Sequence, residues 1–537
     1  MMRIWEIKNV LLYLALVVLM LPLVVVDMPP IADLPNHLAR FFVINHFDAN
    51  LHYQAYYSVK LVSIPNLITD LVAMMPVLRD VESMTFGVML VFAYVLLTVF
   101  GVLDLSRANF GAVSVLALAV VLVVYNRMLL WGMMNYMVGV GMLLVSFAVW
   151  IRIREQSALV MVAVSSFFSL AIYYSHLFPW GLYVVMVGVY EIQAMLFAEK
   201  KQALQKFHRL VLVGLQFLIP LVLFLFFSPT AEVESRLAFG DFMRKIINAP
   251  IMPFNNYSQL LDAGTFLIFF GVFGLGFLLG FIRIKRAMWG VIAAMCVIHL
   301  AMPQFLMSSP GADLRTIIPL VLVTLGSIEL TPKGTRYGQL LALVLIPLFL
   351  VRTGVVVANW SAANEGMLEE YREVLSKLPE GAKVADIFLN NTSGWFTNPP
   401  HAHYVTLAVI ERSAFVPKMF AHPAQQPIEF SPQCQELARR ATSLEAFYPD
   451  PSSPLVPDAG NPQNEFYYMG FVGMDYLLLS NYKALGGKVP EFLREVLSTD
   501  NLRLYQVDQA SLKSTYPDAE ILSGQTPSCA SPSSSQR

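Results

Sequence analysis

The chain has 537 residues, of which 56% are hydrophobic and 14% charged, and its formal net charge is −1. An ordinary soluble domain carries about 25% charged residues, so this composition excludes a simple soluble globule and describes an integral membrane protein. No basic face exists to neutralise phosphates, which argues against nucleic acid as a partner.

Apolar runs near the ~20 residues needed to cross a bilayer fall at 9–26, 84–103, 109–125, 129–150, 157–175, 178–197, 210–228, 264–282, 287–302, 315–330 and 340–358. They predict about eleven transmembrane helices, the weakest division lying around Tyr125-Asn126-Arg127. No small-residue cleavage site follows the first run, which therefore reads as a retained helix. With the N-terminus inside, every short inner segment is basic: Arg3 and Lys8; Arg107; Arg152 and Arg154; Lys200, Lys201, Lys206 and Arg209; Arg283, Lys285 and Arg286; Lys333 and Arg336. That is the distribution the positive-inside rule requires. An odd number of spans then puts the C-terminus on the outer face, together with loops 27–83 and 229–263.

The first outer loop opens with Asp27-Met28-Pro29-Pro30-Ile31-Ala32-Asp33-Leu34-Pro35-Asn36-His37-Leu38-Ala39-Arg40. Inter-helix loops are ordinarily short, so a long one bearing Asp, His and Arg suggests chemistry at the membrane face. Two helices are expected in it. One begins near Leu34 and carries His37 and Arg40; the other begins near Leu67 and runs to Met75, both suited to lying at the interface. Asp33 has two readings, a helix cap accepting backbone N–H bonds or a partly desolvated carboxylate acting as a base. His37 lies one turn further on and shares its face if Asp33 is already helical.

After the last span, the pattern predicts a helix over 364–378, strands over 382–389, 403–410, 474–479 and 502–507, and a helix near 490–497. Strands alternating with helices give a small α/β domain. The expected organisation is therefore a membrane module over 1–358, an α/β domain over 359–522 and a disordered tail over 523–537. The stretch 417–462 is rich in Pro, Gln and Ser and reads as an irregular excursion. Cys434 and Cys529 can pair if this part meets an oxidising compartment, and are otherwise free. His401-Ala402-His403 has the alternation of a metal pair but no nearby third ligand.

An inner N-terminus, a long first outer loop with Asp33 just after span one, two helices in that loop, about eleven spans and an outer C-terminal domain together resemble the GT-C glycosyltransferase superfamily. The resemblance covers the whole architecture, though only short motifs carry it. It implies a polytopic fold and transfer of a sugar from a polyprenyl-phosphate carrier to an acceptor outside the cytoplasm, in a bacterial inner membrane. The expected partners are that lipid-linked sugar, membrane lipid and the acceptor. Asp33 matches the family's first-loop acidic residue, with His37 and Arg40 beside it. This chain has Asp33-Leu34 where many members have an acidic pair, and it lacks the Asp-x-Asp motif of metal-dependent members and the signature of the peptide-glycosylating ones. No cofactor is implied, and a divalent metal stays open.

A lipid phosphate at the outer interface needs a cation. Arg315, where the tenth run enters the membrane, is the first candidate, because a guanidinium binds phosphate in bidentate fashion. Its plainer alternatives are pairing with Asp313 or snorkelling to water. Arg236, Arg244 and Lys245 in loop 229–263 are further candidates, and His176 at the outer turn between the fifth and sixth runs is another site candidate. Two other classes remain open, a non-catalytic membrane assembly protein and a transporter or flippase of a lipid-linked glycan. The latter class should show ionisable groups deep within spans or broken helices in related halves.

Overall fold

The computed structural model describes residues 4–197, 200–232, 237–306, 309–389, 399–422, 424–444, 468–480, 489–515 and 529. The chain divides into two units. One comprises Met1–Val26, Val62–Leu71 and Val88–Ser361, and the other Asp27–Leu61, Val72–Gly87 and Ala362–Arg537.

The first unit is helical because its sequence is a succession of apolar runs whose backbone groups must bond within each segment. Among the described residues, six helices are long and apolar enough to cross a membrane, and seven if the pair Phe207–Leu215 and Leu218–Phe227, bent by 44°, counts as one. The remaining four runs predicted as spans give shorter apolar segments, Leu12–Val24, Val115–Trp131, Arg286–Ala301 and Leu314–Leu325. Each of the eleven predicted runs thus carries one of these segments, four of them shorter than a full span among the described residues. Local chemistry explains two of the short ones. Helix Ile317–Leu325 ends at Gly326 because the chain turns there into Ile328–Leu330, which pairs antiparallel with Ile282–Ile284. The predicted third span is instead a 3-10 segment, Val115–Leu122, followed by the short helix Arg127–Trp131 with Asn126 as its N-cap.

Small residues let two of the long helices touch. A Cβ on Gly101 of helix Ser83–Phe110 would lie 2.8 Å from Leu144 Cβ, and one on Gly141 of helix Met134–Ile153 would lie 2.8 Å from Leu97 Cγ. Between membrane helices, close approach of this kind replaces the missing hydrophobic drive. Polar groups in the unit are tied internally: Glu191 receives Arg154 Nε at 2.7 Å and Trp150 Nε1 at 3.2 Å, and Arg209 lies 3.4 Å away.

In the second unit, segments far apart in sequence share one framework. Strands Val384–Phe388, Tyr476–Ser480, Leu502–Val507 and Leu493–Ser498 lie in that order across a mixed sheet. The first pair is parallel and the others antiparallel. Val384–Phe388 is buried throughout, as its largely apolar sequence predicts, although it stands at the end of the strand order. Helix Leu34–His46 forms as expected, and the other expected loop helix is Ile68–Ala73, of which Ile68–Leu71 belongs to the first unit. Beyond the last span, the helix continues through Asn364–Leu368 and Glu369–Leu375.

Two predicted elements change type. The expected strand over 403–410 is a 3-10 turn, Tyr404–Thr406, leading into helix Leu407–Arg412. A short apolar run buried on all sides has no period to separate helix from strand. The expected helix near 490–497 is the strand Leu493–Ser498, paired antiparallel with Leu502–Val507. Stretch 417–462 is more regular than its composition suggests where it is described, for it holds strand Ile428–Phe430 and helix Gln435–Ser443. Residues 523–537, predicted as a disordered tail, lie outside the described residues except Cys529, which forms a disulfide with Cys434.

The glycine contact yields a stability test. Gly101→Leu places a branched side chain where even a Cβ is too close, and overpacking of this kind costs about 1–3 kcal/mol. Thermal unfolding of the purified chain in detergent should show a lowered midpoint. An unchanged midpoint would mean that the two helices are free to separate at this level.

Candidate functional site

The candidate residues fall into two clusters, one in each unit. Asp33 lies in the second unit, at the start of helix Leu34–His46. The helix begins here because Pro35 supplies a fixed φ in the first turn, where a missing N–H is harmless. Asp33 itself makes no side-chain hydrogen bond to the helix. The capping reading is therefore not the one its side chain adopts. Its Oδ1 instead lies 3.3 Å from Nε2 of His403. Both side chains reach solvent, at 29% and 24% exposure, whereas Ala32, Leu34 and Tyr404 beside them in sequence are buried.

The surroundings of this pair are built by the first loop and the C-terminal segment. Asn36 donates from Nδ2 to the Lys418 carbonyl at 3.2 Å and accepts the Phe420 N–H at 2.8 Å, which fixes the loop 418–420 against the start of the helix. The Phe420 ring then stands edge-on to His403, with centroids 5.4 Å apart, and to His37 at 6.0 Å. Lys418 is held from the other side by the buried carboxylate of Asp386 at 2.7 Å. His37 is buried beside Phe41, and Arg40 is fully buried with its guanidinium 5.0 Å from the Phe41 centroid. These two first-loop candidates thus belong to the packing around Asp33, and Arg40 is closed to solvent.

Phenols line the interior nearby. Tyr371 Oη lies 2.7 Å from Ser480 Oγ, and burial followed by the charge of Asp386 pushes its ionisation well above the usual tyrosine range. Burial also raises Tyr404, whose hydroxyl has no hydrogen-bond partner among the described residues. Both phenols are fixed as neutral groups. At the exit of the first span, Asn364 accepts the Asp27 and Met28 N–H groups at 3.1 Å and donates to the Met28 carbonyl at 2.9 Å. Arg372 sits there with Asp27 at 2.9 Å. Burial disfavours its charge, but the hydrogen bonds it donates to Asp27 and Glu369 outweigh that and raise its pKa.

The second cluster lies in the membrane unit. Arg315 is buried within the turn Leu314–Thr316. One terminal nitrogen donates to the Pro310 carbonyl at 3.2 Å, and its Nε is buried with no hydrogen-bond partner among the described residues. Asp313, the sequence neighbour expected as its partner, serves other groups. Its Oδ1 accepts the Leu314 N–H at 3.0 Å, and its Oδ2 faces Arg244 Nε at 3.8 Å. Lys245 donates to the Leu300 carbonyl at 2.8 Å. His299 bridges the Lys245 carbonyl at 3.1 Å and Thr316 Oγ1 at 2.5 Å. The structure thus brings Arg244, Lys245 and Arg315 together, while Arg236 lies outside the described residues. His176 joins the same neighbourhood through Tyr136: the two rings pack edge to face at 5.6 Å, and Tyr136 donates its hydroxyl to the Arg315 carbonyl. His176 Nδ1 accepts the Phe178 N–H at 3.1 Å, leaving its other nitrogen as the donor.

Several residues of these clusters escaped the sequence reading. His403 was legible only as half of an alternating pair, and nothing local connects it with Asp33. Lys418, Asp386 and Thr316 gave no signal. Arg352 lies within helix Thr335–Ala363, where a charge in an apolar run was the available sign. It is satisfied by Asp262 and Thr265, each at 3.1 Å. An apolar cavity of about 410 Å³ between Leu14, Val18, Leu122, Phe273, Leu345 and Phe349 holds no group for chemistry. No cluster of three or more His, Cys, Asp or Glu residues suited to a metal occurs among the described residues. Of the candidates, Asp33 and His403 supply two such groups. Asn390-Asn391-Thr392-Ser393 and Gly394-Trp395-Phe396 lie outside the described residues.

Neither a protein-family model nor a curated protein sequence matches the chain. Among solved structures, it is similar to ArnT from Cupriavidus metallidurans, in a crystal structure bound to undecaprenyl phosphate. The identity is 13% and the TM-score 0.49, over 95% of this chain and 99% of that chain.

The Lys418–Asp386 pair offers a check on this construction. Lys418→Met keeps the length of the side chain but leaves a buried carboxylate without its cation, which costs about 3–5 kcal/mol. Chemical unfolding of the variant should show that loss. Wild-type stability would mean that the pair does not hold the loop 418–420.

Proposed function

We propose that this chain is a membrane glycosyltransferase of the GT-C kind, which transfers a sugar from a polyprenyl-phosphate carrier to an acceptor on the outer face of the membrane. The observation that carries the reading is the state of Asp33. A carboxylate at a helix start that leaves its own helix uncapped has its Oδ1 3.3 Å from His403 Nε2, while Oδ2 makes no hydrogen bond among the described residues. One oxygen is fixed and the other is open, as a general base requires.

In this reading, Asp33 takes the proton of the acceptor hydroxyl. The acceptor oxygen forms its bond to the anomeric carbon as the bond from that carbon to the phosphate oxygen breaks. The electron pair leaves with the phosphate as polyprenyl phosphate, so no nucleotide is consumed. Arg315 receives the donor phosphate, because, of the cations in its cluster, it is the one with a buried Nε that has no hydrogen-bond partner among the described residues. A buried donor of this kind gains most from a charged acceptor. Arg244 supports it, its charge only loosely engaged by Asp313 at 3.8 Å. Arg236 and His176 are secondary candidates for the same donor.

The outer location rests on two supports. The short basic segments favour an inner N-terminus, and a disulfide between Cys434 and Cys529 belongs in an oxidising compartment. A bacterial inner membrane with a periplasmic C-terminus satisfies both. A phosphatase reporter fused after Arg537 should then be active, and a reporter that works only in the cytoplasm silent. The opposite result would remove the outer site altogether.

The catalytic assignment is tested with the purified chain in vesicles, using a set of polyprenyl-phosphate pentoses and hexoses and an extract of envelope glycans and lipids as acceptor. Asn caps helices almost as well as Asp, so Asp33→Asn preserves the helix start while removing the base, and turnover should fall by roughly 10²–10⁴-fold. Arg315→Ala should weaken binding of polyprenyl phosphate, with partial recovery in Arg315→Lys, which keeps charge without the fork. A stable, fully active Asp33→Asn chain would defeat the mechanism.

A further inference from the structure

We infer that His403 is a positioning residue for the transfer reaction, so that the C-terminal segment takes part in catalysis by aiming the carboxylate of Asp33. The inference rests on the proposed function above and adds to it a residue that no first-loop motif contains.

Four observations lead to it. Asp33 takes no orientation from the N–H groups of its own helix, the usual partners of a carboxylate at that position. Its one polar side-chain neighbour among the described residues is His403, with Nε2 at 3.3 Å from Oδ1. The imidazole has no competing bond: its Nδ1 is buried without a hydrogen-bond partner among the described residues, so the ring serves Asp33 through Nε2 alone. Finally, the ring is seated rather than swinging. Phe420 packs edge-on against it at 5.4 Å, and the Phe420 N–H is held by Asn36, three residues beyond Asp33.

The backbone of His403 is fixed as well. Its carbonyl accepts the Thr406 N–H at 3.0 Å and the Thr406 hydroxyl at 2.7 Å, which closes the turn that leads into helix Leu407–Arg412. Carboxylate and imidazole are thus both anchored through their backbones, and they meet at the edge of solvent where a substrate can reach them. An exposed ion pair made only for stability contributes little. A pair that fixes the angle of a general base contributes through geometry, where a misplacement of about 1 Å can cost 10²-fold in rate.

The alternative is that His403 matters only as a ring packed on Phe420. Two substitutions separate these roles in the full-length chain, assayed with the same polyprenyl-phosphate sugars and envelope extract. His403→Phe keeps an aromatic ring for Phe420 but has no donor for Asp33. His403→Gln loses the ring and keeps an N–H donor of similar reach.

The expected result is a kcat reduced roughly 10- to 100-fold in His403→Phe, with KM for the lipid-linked donor and the thermal midpoint both unchanged, and with most of kcat restored in His403→Gln. A fully active His403→Phe chain overturns the inference. So does a result in which both variants lose activity in step with thermal stability, since packing would then explain the loss. Asp33→Asn in the same assay keeps the two levels apart. If it is inactive while His403→Phe is fully active, the positioning role alone fails. If it is fully active, the underlying function fails with it.

Discussion

The antiparallel pairing of Tyr57–Val59 with Ile428–Phe430 is the constraint on which the second unit depends. It turns the first loop from an excursion after span one into a structural part of the C-terminal framework. The bonds around it repeat the theme. Tyr53 donates to the Val409 carbonyl at 2.7 Å, Tyr56 to the Gly381 carbonyl at 2.6 Å, and Asn50 to Ser413 Oγ at 2.8 Å. Ser431 donates its hydroxyl to the Ala55 carbonyl at 2.8 Å. These donors and carbonyls are largely buried, and a buried polar group without a partner is costly. The loop therefore keeps one register against the C-terminal strand, and the environment of Asp33 follows from that register.

A carboxylate on an unattached loop would have no fixed direction. Here the start of helix Leu34–His46 is held through Asn36 on one side and Asn364 on the other, the latter gripping Met28 in the link from the first span. Each asparagine uses both its amide hydrogen and its oxygen on backbone groups, which specifies orientation as well as proximity. Asp33 is left as the polar residue of this stretch that does not spend its side chain on the scaffold. His403, which does engage it, comes from the C-terminal segment.

The membrane unit handles charge by a different rule. Arg352 meets Asp262 and Thr265, and Glu191 meets Arg154 and Trp150, so that charges within or beside spans are compensated locally. Arg315 departs from that pattern. Its backbone carbonyl accepts from Tyr136 and one terminal nitrogen is used, yet its Nε is left over and the nearby carboxylate of Asp313 faces Arg244. Real proteins break local rules of satisfaction at functional sites. An unspent guanidinium donor beside a second arginine is a departure of that type, and it is why Arg315 carries the donor phosphate in the proposed function.

Hydrophobicity and charge are additive along a chain, so the sequence by itself determined the apolar runs, the basic short segments, the helix start at Leu34-Pro35 and the buried strand Val384–Phe388. Asp33 stood out because it lies near the start of the long loop that follows the first apolar run, which is a local property. The type of segments 404–412 and 493–498 was decided by tertiary structure: burial of 404–409 removes the periodicity that distinguishes helix from strand, and 493–498 becomes a strand by pairing with Leu502–Val507. Tertiary structure also decided how far each apolar run extends as a helix, since Gly326 ends one by turning the chain into a strand pair. The partners of the charged residues were decided in the same way. Asp313, one of the partners open to Arg315 by sequence, faces Arg244, and Asp33, for which capping was one of two readings, faces His403. Such partners come from segments distant in sequence, and their meeting depends on strand register and helix packing, which no local pattern of residues encodes.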